Sequence, residues 1–248
     1  MESKELKITY LFHSGFAIHS EDKLLIFDYY RGKPGSRKRN IADGYIEAEY
    51  LGRTGQVYVF VTHNHKDHFN PEIYGWAEEK DNIQYILSRD VSLLPERNYH
   101  LLGRYEKLGL EQIQIETYGS TDQGVSFLVG LDGIHIYHAG DLNWWHWKEF
   151  SPEEQQREEE DFKREVRKLQ GKDIDIAFFP VDPRLEEYYY LGGEYFAREV
   201  QPDLLIPMHF GKNNEISRQF AARNKELKAQ SVEINRPGQV ITYRKSSS

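Results

Sequence analysis

The segment Thr62-His63-Asn64-His65-Lys66-Asp67-His68 gathers three imidazoles and a carboxylate at the end of Gln56-Val-Tyr-Val-Phe-Val-Thr62. That run is continuously apolar and of strand length, the pattern of a strand buried on both faces. Alternate residues of an extended chain point the same way, so His63 and His65 can address one cation as the chain leaves the strand. Asp67 and His68, placed after the chain turns, can address a second. Neutral imidazole and carboxylate suit Zn²⁺, Mn²⁺ or Fe²⁺, and a site of this kind with an open position can activate water.

Composition supports that chemistry and excludes others. The chain has 248 residues, no Cys, 32 Lys+Arg against 40 Asp+Glu and a net charge of −8. Without Cys there are no disulfides, thiolate zinc sites, iron–sulfur clusters or cysteine nucleophiles, and any metal must be held by His and carboxylate. The acidic balance disfavours broad capture of nucleic acid and points to a small-molecule substrate. No apolar run reaches the length of a membrane span, and the charged start Met1-Glu-Ser-Lys-Glu-Leu-Lys7 lacks the apolar stretch of a signal peptide. A cytoplasmic protein is expected, and the sequence does not specify its oligomeric state.

The elements that must carry these residues follow from periodicity and turn chemistry. Leu6–Phe12, Phe16–His19 and Leu24–Tyr29 read as an antiparallel meander. After it, Arg31–Asn40 combines Gly, Pro and five cations, a loop that is either simply solvated or able to grasp an anion. Beyond the His segment, a short helix is predicted over Pro71–Lys80 and strands over Ile83–Ser88, Gln112–Thr117, Val125–Leu131 and Ile134–His138. The last two join through Asp132-Gly133, a strong hairpin signal. Ser151-Pro-Glu-Glu154 starts a helix that runs to about Leu169. Strands at Ile174–Val181 and Leu204–Met208 flank a helix at Glu194–Val200, and a helix at Glu215–Gln230 precedes strands at Ser231–Ile234 and Gln239–Tyr243. With no linker or repeat, residues 1–248 read as one α/β domain with two sheets and helices outside.

At this point the chain resembles the metallo-β-lactamase-fold hydrolases. The resemblance rests on His63-His65-Asp67-His68 after a buried strand, on Gly140-Asp141 within Tyr137-His-Ala-Gly-Asp-Leu142, and on His209 within Ile206-Pro-Met-His-Phe-Gly211. It spans nearly the whole chain. The opening His13-Ser-Gly-Phe16 is similar to the branch that holds relatives of ascorbate-6-phosphate lactonases and N-acylethanolamine-releasing phospholipases. The resemblance implies a four-layer αββα sandwich and one or two divalent ions, zinc first, with manganese or iron as alternatives. His63 and His65 would hold the first ion, Asp67, His68 and His209 the second, and Asp141 would bridge. Asp28, in Ile26-Phe-Asp28, would orient the His segment. One departure stands out: where the family supplies a further His, this chain has Ser120, so the first site is completed by water or His138, or is empty.

Further residues shape the expected pocket. His138 is expected either as a metal or substrate contact or as a hydrogen-bonding support, and His13 as a pocket residue. Trp144, in Asn143-Trp-Trp-His-Trp147, is expected either as a wall over the metals or as core. Arg184 is a candidate clamp for carboxylate or phosphate, with Asp182 holding it or moving a proton. Tyr188-Tyr-Tyr190 with Gly192-Gly193 reads as a flexible aromatic flap. The expected activity is hydrolysis of an ester, lactone or phosphodiester of an anionic or polar substrate by a metal-bound hydroxide, with Asp67, His138 and Arg184 as catalytic residues. Two alternatives remain open, a di-iron oxidoreductase and a non-catalytic sensor with a partial metal site.

Overall fold

The computed structural model describes residues 4–32, 39–92 and 98–245. The chain forms two units, Met1–Leu102 with Arg236–Ser248 and Gly103–Asn235.

In the first unit the β-branched and aromatic runs at the start form β1 (Glu5–Phe12), β2 (Gly15–Ser20) and β3 (Lys23–Phe27), paired as the expected antiparallel meander. β4 (Gln56–Val61), β5 (Ile83–Ser88) and β6 (Tyr99–Leu102) then add in parallel to β3. The last strand of the chain, β14 (Val240–Arg244), pairs antiparallel with β1. The resulting order is β14-β1-β2-β3-β4-β5-β6. β4 lies between two parallel neighbours, and Val57 to Val61 are all buried, which is why its sequence is apolar without alternation. Its Val57, Val59 and Val61 join Ile73, Tyr74 and Trp76 in one apolar cluster. Those three come from Pro71–Glu78, the short helix expected there, which takes the 3-10 form and ends two residues before Lys80. Asn70 caps it by accepting from the Glu72 N–H at 2.9 Å. A short helix, α1 (Ala48–Gly52), and strand β6 had no clear signal in the sequence. Of the cation-rich loop, Lys33–Lys38 lies outside the described residues. Arg31 stacks on the Tyr45 ring at 3.7 Å and donates to the Asp43 carbonyl at 2.9 Å.

The second unit begins with β7 (Lys107–Leu110), β8 (Ile113–Tyr118), β9 (Ser126–Leu131) and β10 (Ile134–His138), all antiparallel. Asp132 and Gly133 both take positive φ, 53° and 80°, as the two-residue hairpin requires. β11 (Ile176–Pro180), β12 (Leu204–Met208) and β13 (Gln230–Ser231) continue in parallel from β10, giving the order β13-β12-β11-β10-β9-β8-β7. Helix α2 (Pro152–Arg167) has the predicted capping box of Ser151 and Glu154. Helix α3 (Leu191–Val200) packs on β11, and α4 (Glu215–Arg223) on β12. Phe196 of α3 stacks on both Tyr137 and Phe179, and Phe162 of α2 meets Phe179 edge-on.

Two expectations change here. Helix α4 stops at Arg223 instead of Gln230, with the buried Asn224 as its C-cap. Gly192 and Gly193 are not a flap: both are buried in α3, where a Cβ on Gly193 would sit 2.7 Å from the Phe220 ring. They permit close packing. Among the described residues no helix is long and apolar enough to cross a membrane.

Candidate metal centre

In both units the chemistry-bearing residues follow the carboxyl ends of parallel strands, the edge at which α/β sheets expose loops to ligands. In the first unit Asp28 follows β3 and His63 follows β4. Asp28 is buried, and its φ of 42° turns the chain sharply at the strand end. Its carboxylate accepts from the Thr62 N–H at 2.8 Å and from the Thr62 hydroxyl at 2.7 Å, and it pairs with His68 Nδ1 at 2.7 Å. Because the Thr62 hydroxyl proton is committed to Asp28, Thr62 Oγ1 accepts from His63 Nδ1 at 3.0 Å. One carboxylate therefore sets the tautomer of two imidazoles, leaving each Nε2 as the coordinating nitrogen.

The His63 ring lies 4.1 Å from that of His68 and 4.6 Å from that of His65. Asp67 is half-exposed and its Oδ2 is 3.3 Å from His13 Nε2. The hydrogen bond from His13, aided by the charge of His68 and opposed by burial, holds the Asp67 carboxyl well below the usual range. His13 sits at the β1–β2 turn with φ 57°, edge-on to His68 at 5.8 Å. The first unit thus brings together His13, Asp28, His63, His65, Asp67 and His68. Sequence reasoning passed over Thr62, although its place directly before His63 was the available signal. It also passed over Asp90, which accepts from the Asn64 N–H at 3.1 Å.

In the second unit Asp141 follows β10, Asp182 follows β11 and His209 follows β12. His209, at φ 67°, has Nε2 3.3 Å from Asp141 Oδ1 and Nδ1 3.0 Å from Asp182 Oδ2. Asp182 also takes Arg184 Nε at 2.9 Å and a further bond from Arg184 Nη2. Burial opposes its ionisation, but the bonds from His209 and Arg184 prevail and bring Asp182 down to about 2. Asp182 does hold Arg184, and it orients His209 in the way Asp28 orients His68.

The remaining candidates are placed as follows. His138 is buried and its Nδ1 accepts from the Gly140 N–H at 3.2 Å, so it braces the turn that carries Asp141. Ser120 Oγ accepts from the Asp122 N–H at 3.1 Å, a local turn contact. Its neighbour Thr121 does more, bonding both the carbonyl and the N–H of Asn143 at 2.7 and 3.0 Å. Trp144 does not wall the ligands in this unit: it stacks with Phe162 and meets Tyr195 edge-on. Trp145 lies beside His209, 5.8 Å away, with Nε1 3.2 Å from the Asp141 carbonyl. Trp145 in turn stacks on Trp147, over which Arg184 lies at 5.5 Å.

The donor set fits a borderline divalent metal. It is made of imidazole and carboxylate alone, and His63, His68 and His209 are each pinned at Nδ1 by a hydroxyl or carboxylate.

A family profile described as a beta-lactamase superfamily domain matches residues 7–156. The chain belongs to that superfamily. A UPF0173 metal-dependent hydrolase of Archaeoglobus fulgidus is 22% identical over 97% of this chain and 100% of its own length. Igni18, a metallo hydrolase from Ignicoccus hospitalis, superposes with a TM-score of 0.63 at 14% identity, covering 98% of this chain and 100% of that one. The metallo-beta-lactamase fold protein YhfI of Bacillus subtilis gives 0.61 at 13% identity over 97% and 100% of the two chains. The fold expected from the His segment is the fold found, and this superfamily member is an enzyme of the hydrolase class. The particular lactonase and phospholipase branch is not singled out by these relatives.

Proposed function

We propose that the protein is a metal-dependent hydrolase of a small anionic or polar ester, lactone or phosphodiester, with zinc as its metal and the cytoplasm as its compartment. His63, His65, Asp67, His68, Asp141 and His209 form the ligand set, and residues 1–248 act as one functional domain. A divalent ion held there supplies a nucleophile from water near neutral pH and polarises the bond to be cleaved. The observation that carries the reading is the shared device in the two units. Asp28 fixes His68 and, through Thr62, His63, while Asp182 fixes His209. Carboxylate–imidazole pairs of this kind hold the ring orientation and raise ligand basicity.

The chain's own residues then divide the work. His13 steadies Asp67. His138 and Thr121 hold the turn that presents Asp141. Arg184 anchors the substrate's anionic group: its side chain is 60% exposed, yet Asp182 and the Trp147 face fix its orientation.

The test is elemental analysis of purified protein together with a panel of a bis-aryl phosphodiester, a simple lactone, a thioester and a chromogenic lactam. Wild type should hold stoichiometric zinc, manganese or iron, and Asp67→Ala and His209→Ala should each hold less metal than wild type and lose turnover. Full activity in both variants, or no bound metal in wild type, refutes the reading. Arg184→Lys should raise KM for anionic substrates at least tenfold while leaving neutral ones nearly unchanged, because a lysine cannot reproduce the planar two-point contact.

A further inference from the structure

At the other end of β10, away from Asp141, a second group of metal-binding side chains stands apart from the proposed ligand set. His135, Asp173 and Asp175 each offer a ligand atom, and these atoms lie within 4.8 Å of one another. The parallel pairing of β10 with β11 creates this arrangement. Ile136 is in register with Ile176, which sets His135 beside Asp175, and two bonds join the pair: the Asp175 N–H donates to the His135 carbonyl at 3.0 Å, and the His135 N–H donates to the Asp175 side chain at Oδ2, 2.7 Å away. Asp175 is only 1% exposed, so its carboxylate is fixed in place.

His135 Nδ1 is itself buried and makes no hydrogen bond among the described residues, although Asp173 Oδ2 is 3.5 Å away and Asp175 Oδ2 3.8 Å away. Those separations exceed a good N–H···O bond. They are close to the spacing of ligands that share one small ion: metal–nitrogen and metal–oxygen bonds of about 2.0–2.2 Å at tetrahedral angles put ligand atoms roughly 3.4 Å apart. Lys172, which directly precedes Asp173, pairs instead with Glu116 at 2.8 Å. Access is open, because His135 and Asp173 line a cleft of about 430 Å³, and the cross-strand partner of His135 is Gly130, which leaves the imidazole uncovered on that side.

We propose that His135, Asp173 and Asp175 form an additional site for a borderline divalent cation of the Zn²⁺ or Co²⁺ kind, completed by water from the cleft. One imidazole and two carboxylates match the donor preference of such ions. The inference does not rest on the hydrolase reading, since none of these residues belongs to that ligand set.

The experiment uses full-length protein stripped with a chelator and then titrated with Zn²⁺, with bound metal counted after desalting. Wild type should bind one equivalent more than His135→Ala, and Asp173→Asn, altered at an exposed position, should weaken that equivalent about tenfold. Turnover on any substrate of the wild type should be unchanged in both variants. Co²⁺ should shift or broaden the His135 imidazole resonances at stoichiometric concentration. Equal stoichiometry in wild type and His135→Ala, or His135 resonances that move only at millimolar Co²⁺, would overturn the proposal in favour of a plain ion pair. Because the Co²⁺ readout is taken on unmodified protein, it decides the matter even if His135→Ala fails to fold.

Discussion

Replacing Gly193 with Ala sets two physical effects against each other, and the structure predicts which prevails. As a helical residue, Ala is favoured over Gly by about 1 kcal/mol, and a glycine in a flexible flap would gain order from the change. Gly193, however, is buried in α3, and a Cβ there would lie 2.7 and 2.9 Å from Phe220 Cζ and Cε2, with Val181 Cγ2 at 3.6 Å. Carbon atoms prefer about 3.5–4.0 Å, and Phe220 is fully buried with nowhere to retreat. Overpacking of this kind costs about 1–3 kcal/mol. Steric overlap this short lies toward the costly end of that range and outweighs the gain in helix propensity, so Gly193→Ala should be destabilised by up to about 2 kcal/mol net. For a chain of this size that lowers Tm by up to roughly 8 °C. Thermal unfolding followed by circular dichroism on metal-stripped protein would measure it without ligand linkage. Phe220→Leu in the Gly193→Ala background should recover part of the loss, and a double-mutant cycle would isolate the contact. A Gly193→Ala protein as stable as wild type or more so would refute the close-packing account and restore the flap.

Other outcomes follow from the same geometry. Ser151→Ala, which removes the side-chain half of the α2 capping box, should lower stability by about 1 kcal/mol in a urea titration. Asp28→Asn should weaken metal binding roughly 10–100-fold in a chelator competition, because it disturbs the tautomers of His63 and His68 together. Asp182 titrates in the metal-free protein near 2, below an unfolded Asp at about 3.9. Its depressed value contributes about 2–3 kcal/mol of stability above pH 4, lost as pH falls from about 4 to 2. Metal-free Asp182→Asn should therefore show a flatter stability profile across that window. An unchanged slope would remove Asp182 from the linkage.

Much of the candidate site was legible because metal chemistry restricts residue type and spacing within short segments. His63, His65, Asp67 and His68 fall in one strand-end run, and the absence of Cys narrowed the donors to imidazole and carboxylate. The meander, the Asp132-Gly133 hairpin and the α2 capping box were equally legible, since each depends on local backbone preference. Helix α4 was overextended because nothing local marked Asn224 as a buried cap. The 3-10 geometry of Pro71–Glu78 was likewise invisible, since 3-10 and α-helices share similar apolar spacing.

The sequence by itself determined the chemistry on offer: an acidic, cysteine-free α/β chain whose clustered histidines and aspartates supply the donors of a divalent metal site. Tertiary structure decided which side chain serves which. It gave the aromatic place beside His209 to Trp145 rather than Trp144, and the bracing of the Asp141 turn to His138 and Thr121. It also made Gly192 and Gly193 packing positions and set His135 beside Asp175 through the register of two parallel strands. The reason is common to all of these. Residue type and local spacing fix what a side chain can do, whereas strand register and helix packing join residues far apart in the chain, and only the folded chain contains those distances.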